Sequence, residues 1–267
     1  MKKLNNQLDR IKSSGKPGFM MHIVAGFPDL ESSEKIASQI LESGADLLEI
    51  QIPFSDPVAD GPVIARANEL ALKKGVTVEQ SLLMIRRTVE STEKTILIMT
   101  YFNIIQNYGV RQFCKRAAEI GVQGLIVPDY PFDEEKDNSL ITYAQENELA
   151  IIQVIASTSR ADRIQEIIKN ASGFIYCMAR TGTTGRKTDI NLQTIKYLES
   201  VRASCDLPLA VGFGLSERAQ VRALEEYAQI MVVGSALINE YAEKPLDEGL
   251  EAIRKFMNEL MTDEPLS

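Results

Sequence analysis

Short apolar runs alternate with longer amphipathic stretches along the whole chain. The runs are Phe19–Val24, Asp46–Ile50, Thr95–Met99, Gly124–Val127, Ala150–Ile155, Gly173–Met178, Leu207–Val211 and Ile230–Val233. Each is aliphatic or β-branched and apolar on consecutive positions, the pattern of a strand buried on both faces of a parallel sheet. Between them the apolar residues recur at helical spacing. Helices are predicted over Leu30–Ser43 behind Asp29 as N-cap, and through Ser81–Glu90 behind the capping-box pair Thr77 and Gln80. Others are predicted over Gly109–Ile120, Asp133–Glu146, Arg160–Asn170, Asn191–Ala203, Ser216–Glu226 and Leu246–Leu260. Leu4–Ser13 reads as an extra N-terminal helix that covers a barrel floor.

Eight strand–helix units leave two architectures, a closed barrel or an open doubly wound sheet. No GxGxxG follows the first run, which weakens the dinucleotide-binding form of the open sheet. The even count favours a (β/α)8 TIM barrel. The 267 residues suit one such domain, expected to span 1–267, because these barrels take about 250. No low-complexity linker divides the chain. Its formal net charge of −8 repels nucleic acid and anionic membrane surfaces. No stretch approaches the roughly 18 apolar residues that span a bilayer, and no apolar run follows the N-terminal lysines. Cys114, Cys177 and Cys205 are scattered and lack metal-ligand spacing, which fits a reduced compartment. A soluble, cytoplasmic enzyme is the expectation.

His22 is the only histidine. No histidine pair exists to hold a metal, and a histidine-dependent nucleophile would have to use this residue. Its place in FMMHIVAG reads first as a satisfied strand residue, with a position near the site as the alternative. Acid–base work then falls to Asp, Glu or Tyr.

In a barrel, function collects in the loops after the strands. The second run leads into EIQIPFSDPVADGP, Glu49–Pro62. Glu49 sits between Leu48 and Ile50, and an acid inside an apolar strand is costly unless paired or functional. Pointing into the mouth, it would suit proton transfer; the other reading is a surface or ion-paired residue. Pro53, Pro57 and Pro62 stiffen the loop that carries Asp56 and Asp60. Asp56 reads as a turn residue, whereas pattern leaves Asp60 open between a cap and a site. Tyr101, Phe102 and Asn103 follow the third run and line the mouth. Three later segments are built for an anion: ARTGTTGRK (Ala179–Lys187), GFGLSE (Gly212–Glu217) and GSAL (Gly234–Leu237). Glycines let backbone N–H groups approach a phosphate, and helix starts favour negative charge.

Together these segments resemble the tryptophan synthase alpha subunit family. The resemblance is carried by EIQIPFSDPVADGP, by YFNIIQNYG (Tyr101–Gly109) and by GLIVPDYPFDEE (Gly124–Glu135). GFIYCMARTGTTG (Gly173–Gly185), AVGFGLS (Ala210–Ser216) and VVGSALI (Val232–Ile238) extend it. It implies a lyase that cleaves indole-3-glycerol phosphate to indole and glyceraldehyde 3-phosphate, with Glu49 and Asp60 as the catalytic pair. Asp60 would accept the indole N–H, and Glu49 would move protons at ring C3 and the C3′ hydroxyl. Tyr176 would lie beside Glu49, and Phe213 and Ile64 would touch the substrate. Gly185, Gly214, Gly234 and Ser235 would hold the phosphate. Thr184 would bond Asp60 when the lid closes.

The implied partner is a beta subunit that carries pyridoxal phosphate and consumes the indole in an α2β2 complex. This chain itself would hold no cofactor. Loop 53–60, with Pro53, Phe54, Asp56 and Pro57, and the segment Pro128–Pro131 would face the partner. Gln51 stands where the family usually has glycine, Ala179 where serine is frequent, and IASTS departs from the commoner fifth-strand exit. His22 is also atypical. These departures bear on the shape of the pocket and leave the two acids in place. Two other readings stand beside this one: another phosphate-binding barrel isomerase or synthase, and a non-catalytic ligand-binding regulatory subunit. Neither explains both Glu49 and Asp60, and no lysine lies at a strand end to support a Schiff-base aldolase.

Overall fold

The structure, a computed structural model, describes residues 1–131, 139–178, 190, 192–212 and 214–262. Eight parallel strands close into a barrel in chain order, β1-β2-β3-β4-β5-β6-β7-β8. They are β1 (Gly18–Val24), β2 (Leu47–Gln51), β3 (Thr95–Met99), β4 (Gly124–Ile126), β5 (Ala150–Ala156), β6 (Ile175–Met178), β7 (Leu209–Gly212) and β8 (Ile230–Val233). The expected TIM barrel is therefore what the chain forms, with each strand within two residues of its predicted start.

Alternation along the strands assigns the two faces of the barrel wall. The outward set, including Met21, Ile23, Leu48, Ile50, Ile96, Ile98, Met231 and Val233, packs beneath the surrounding helices. The inward set at the strand starts includes Met20, Leu47, Leu97, Ala150, Phe174, Ala210 and Ile230. These fill the lower half of the barrel with apolar volume.

Helix α1 (Lys2–Ser14) closes that end. Leu4, Leu8 and Ile11 turn one face onto the lower interior and join the same cluster. Gly15 ends the helix in the left-handed region at φ 66, which glycine adopts without steric cost. Asp46 ties the helix to the barrel: it accepts from Gln7 Nε2 at 3.0 Å and from the Phe19 backbone N–H at 2.9 Å. The N-terminal helix predicted as a floor cover is thus found as one.

The helical layer follows the sequence signals. Asp29 caps α2 (Leu30–Glu42) by accepting from the Ser32 N–H at 2.9 Å. Thr77 and Gln80 form the capping box of α4 (Val78–Glu90). Three helices lacked a delimited prediction, α3 (Pro62–Lys73), α5 (Phe102–Tyr108) and the one that opens at Ser235. Helix α6 (Val110–Glu119) lies where expected. The helix expected from Asp133 is described from Leu140 onward as α7 (Leu140–Glu146); residues 132–138 lie outside the described set. The layer is completed by α8 (Ala161–Lys169), α9 (Leu192–Arg202), α10 (Arg218–Leu224), α11 (Ser235–Tyr241) and α12 (Leu246–Met261). Among the described residues no helix is long and apolar enough to cross a membrane.

The floor contact gives a stability test. Leu4 is fully buried, and its truncation leaves a cavity between α1 and the barrel. Leu4→Ala is expected to cost about 2–5 kcal/mol in urea unfolding. A loss under about 1 kcal/mol would show that α1 is not part of the cooperative core.

Candidate active site

At the strand ends opposite α1 the inward face changes character. Strand β1 pairs with β2 so that His22 lies opposite Glu49, and both are inward residues. Glu49 is 2% exposed and His22 is 4% exposed. Gln51, two residues beyond Glu49 and therefore on the same face, is fully buried. An apolar barrel wall thus delivers three polar side chains to one point.

The geometry there is specific. His22 Nδ1 lies 3.4 Å from Glu49 Oε1. Gln51 Nε2 donates to Asp60 Oδ2 at 2.7 Å, and the Tyr101 hydroxyl donates to the same oxygen at 3.0 Å. Tyr101 is held in turn by the Ala59 N–H, which donates to its hydroxyl oxygen at 3.1 Å. Phe54 stacks on the Tyr101 ring with centroids 5.1 Å apart. The proline-rich loop after β2 is therefore pinned from below, and it presents Asp60 over the mouth. Among the described residues, His22 Nε2, Glu49 Oε2 and Gln51 Oε1 are buried without a hydrogen-bond partner. Buried polar atoms are normally satisfied, so three unpartnered ones at a barrel mouth mark a place shaped for a ligand.

Electrostatics support that reading. Burial raises the Asp60 pKa above the ordinary carboxylate value; the His22 charge and the Gln51 and Tyr101 donors oppose the rise, and the Glu49 charge adds to it. Burial works against a charged His22, but the Glu49 and Asp60 carboxylates and the Gln51 side chain hold its pKa above the ordinary value. Tyr176, on the inward face of β6, has its phenol pushed well up by burial and by the charges of Glu49 and Asp60. His22 from β1 and Tyr176 from β6 thus feel the same two acids.

The other predicted residues fall around this centre. Tyr176 packs across Gly212, where an added Cβ would stand 3.0 Å from its ring and hydroxyl. Gly234 precedes α11, whose first residue is Ser235. A Cβ on Gly234 would meet Ile64 at 3.3 Å and His22 at 3.5 Å, so Gly234, Ile64 and His22 share one wall. Gly214 adopts φ 68, a turn that glycine permits. Phe213, Thr184, Gly185 and Ala179 lie outside the described residues.

In the loop after β2, Pro53 is buried and Phe54 turns inward, whereas Asp56 is exposed and Pro57 and Pro131 are half-buried. Val58 is 62% exposed beside them. The cysteines are free, as scattered residues would be.

One expectation is corrected. His22 is not a satisfied strand residue, because it pairs with Glu49 through one nitrogen and leaves the other unpartnered. Sequence reasoning also missed the Tyr101 and Gln51 contacts to Asp60. The alternation of faces carried a signal for Gln51, which shares the inward side with Glu49.

Two acids that meet at the open end of a (β/α)8 barrel belong to the class of barrel enzymes that work by proton transfer. Comparison with known proteins narrows the class. The family profile described as tryptophan synthase alpha chain matches residues 8–263. The tryptophan synthase alpha chain of Syntrophotalea carbinolica is 42% identical over 242 residues, covering 90% of this chain and 93% of the relative. That of Halalkalibacterium halodurans is 37% identical over 266 residues, covering 96% and 99%.

Among solved structures, tryptophan synthase from Mycobacterium tuberculosis in its aminoacrylate-bound form superposes with a TM-score of 0.85 at 30% identity, covering 97% of this chain and 98% of that one. A mutant tryptophan synthase alpha-subunit from Pyrococcus furiosus gives 0.84 at 31% identity, covering 92% and 98%. This chain belongs to the tryptophan synthase alpha chain family.

The raised Asp60 pKa has a testable sign. The folded state binds this proton more tightly than the unfolded chain. The resulting stabilisation is complete below the ordinary value of 3.8 and is lost as pH rises through the folded value. Asp60→Asn is therefore expected to raise the urea midpoint at about pH 7, with a gain that shrinks as the pH is lowered toward about 4. A midpoint that falls at neutral pH, or a gain that ignores pH, would contradict the assignment.

Proposed function

We infer that this chain is the lyase of tryptophan biosynthesis that cleaves indole-3-glycerol phosphate to indole and glyceraldehyde 3-phosphate. Family membership supports the activity. One structural observation supports the assignment of roles: His22 lies 3.4 Å from Glu49, and Gln51, on the same inward face as Glu49, bonds Asp60, so both acids stand at one end of the barrel.

The reaction requires a proton at ring C3 of the indole and removal of the proton from the C3′ hydroxyl. The bond between C3 and C3′ then breaks. Its electron pair returns to the ring and releases indole, and the carbinol becomes the aldehyde. Asp60 accepts the ring N–H and stabilises the positive charge that appears when C3 is protonated. Glu49 delivers the proton to C3 and takes the one from the hydroxyl, so its own protonation is unchanged over the cycle. Burial strengthens both interactions, because the surroundings screen charge less than water does.

The phosphate is assigned to backbone amides at Gly185, Gly214, Gly234 and Ser235, in the loops that follow β6, β7 and β8 in the chain. The family resemblance assigns Phe213, Ile64 and Tyr176 to the ring and chain, and Thr184 to a bond with Asp60. The chain needs no cofactor of its own for these steps. The partner is a beta subunit carrying pyridoxal phosphate, to which indole passes in an α2β2 complex. The exposed tip at Asp56 and Pro57, with Pro53 and Phe54 behind it and Pro131 nearby, forms part of that interface. The setting is cytoplasmic.

Incubating the purified chain with indole-3-glycerol phosphate and following indole release tests the reading. Slow release alone and faster release with a beta subunit are expected. Glu49→Gln and Asp60→Asn should each lose about 10²–10⁴-fold, the usual span for a positioned acid–base group. A folded Glu49→Gln protein with wild-type rates would overturn the mechanism.

A further inference from the structure

We propose that His22 and Gln51 are positioning residues that fix the two acids of the mouth, each by holding one carboxylate oxygen so that the other faces the substrate. The proposal rests on the assignment of Glu49 and Asp60 to the proton transfers.

The contacts divide oxygen by oxygen. His22 Nδ1 lies against Glu49 Oε1, and Oε2 has no partner. Both described donors to Asp60, Gln51 Nε2 and the Tyr101 hydroxyl, fall on Oδ2 and leave Oδ1 to the mouth. At 3.4 Å the His22 contact is long for a hydrogen bond, as such contacts often are before a ligand tightens them. Its placement is nevertheless built in. His22 and Glu49 are register partners in β1 and β2, so the pair persists as long as the barrel does. On the other side the imidazole faces Gly234, where an added Cβ would stand 3.6 Å from His22 Cδ2, an ordinary packing distance.

Volume filling does not account for the two residues. A buried amide and a buried imidazole, each with one unpartnered atom, are costlier than apolar side chains of the same size. What the apolar pair would lack is donors aimed at the acids.

Glu49 faces His22, and Gln51 on the same inward face bonds Asp60. The charged groups facing His22 are Glu49 from β2 and Asp60 from the following loop. Ile64 of α3 and Gly234 beside it carry no charge, and Tyr176 faces the same two acids from β6. Burial alone would push the imidazole toward neutrality; the acids reverse that.

Because His22 is the only histidine, an untagged chain labelled with ¹⁵N gives a single imidazole to titrate by NMR, without assignment. Its midpoint is expected above 6.5 in the wild type and lower in Glu49→Gln, where burial and the Asp60 charge remain and the paired charge is gone. In steady-state assays of the whole chain, His22→Phe should lower kcat about tenfold to hundredfold while KM moves by less than about threefold. It should also change the shape of kcat against pH. Gln51→Met should lower kcat in the same manner, and His22→Gln, which keeps a donor, should recover part of the loss.

A histidine midpoint that does not respond to Glu49→Gln overturns the pairing, and this holds even if His22→Phe fails to fold. An inactive Glu49→Gln beside a His22→Phe enzyme of wild-type kcat and pH profile overturns the positioning role alone. An active Glu49→Gln overturns the assignment of Glu49 beneath it.

Discussion

Every second residue of a barrel strand must point inward, and the interior of an eight-stranded barrel is only wide enough for side chains. That constraint organises this protein. At the strand starts the inward positions hold Met20, Leu47, Phe174 and Ile230, sealed by Leu4, Leu8 and Ile11 of α1. At the strand ends the same alternation brings His22, Glu49 and Gln51 to the surface of that plug. One period of two along the backbone thus yields a rigid apolar base and a polar mouth. The base needs no functional residue, and the mouth needs no separate scaffold.

The mouth stores energy that folding alone would not spend there. A glutamate 2% exposed, a buried glutamine and a half-buried aspartate with a raised pKa all cost stability relative to apolar packing. The loop after β2 offsets part of this. Its prolines limit the conformations it loses, and Tyr101 anchors it through Ala59, Phe54 and Asp60 at once. The acids are therefore held before any substrate arrives, the condition under which electrostatic catalysis avoids reorganisation.

The sequence made the barrel readable because parallel strands buried on both faces appear as unbroken apolar runs. The errors were local. Gly173 and Leu207 were included in strands that begin at Ile175 and Leu209, because apolar residues at the strand entries are indistinguishable from residues in the ladder. Helix α5 carried no clear signal, since FNIIQNY is short and ends on Gly109. Glu49 was legible as an acid within an apolar run, and Asp60 became legible through the family resemblance. His22 was not, because a strand buried on both faces hides which residues point inward. Only the β1–β2 register sets His22 beside Glu49. Gln51 had the simpler clue of lying two residues from Glu49, whereas its bond to Asp60 depends on the path of the loop.

Two acids converge on one substrate, whose phosphate is held by the glycine turns after the later strands. A crystal structure with a substrate analogue that lacks the C3′ hydroxyl, and so cannot be cleaved, tests it most directly. The account predicts the indole N–H within about 2.7–3.2 Å of Asp60 and the phosphate on the amides around Gly234 and Ser235, with Glu49 Oε2 facing ring C3. An analogue bound with its ring away from both acids, or with its phosphate at the α1 end of the barrel, would contradict it.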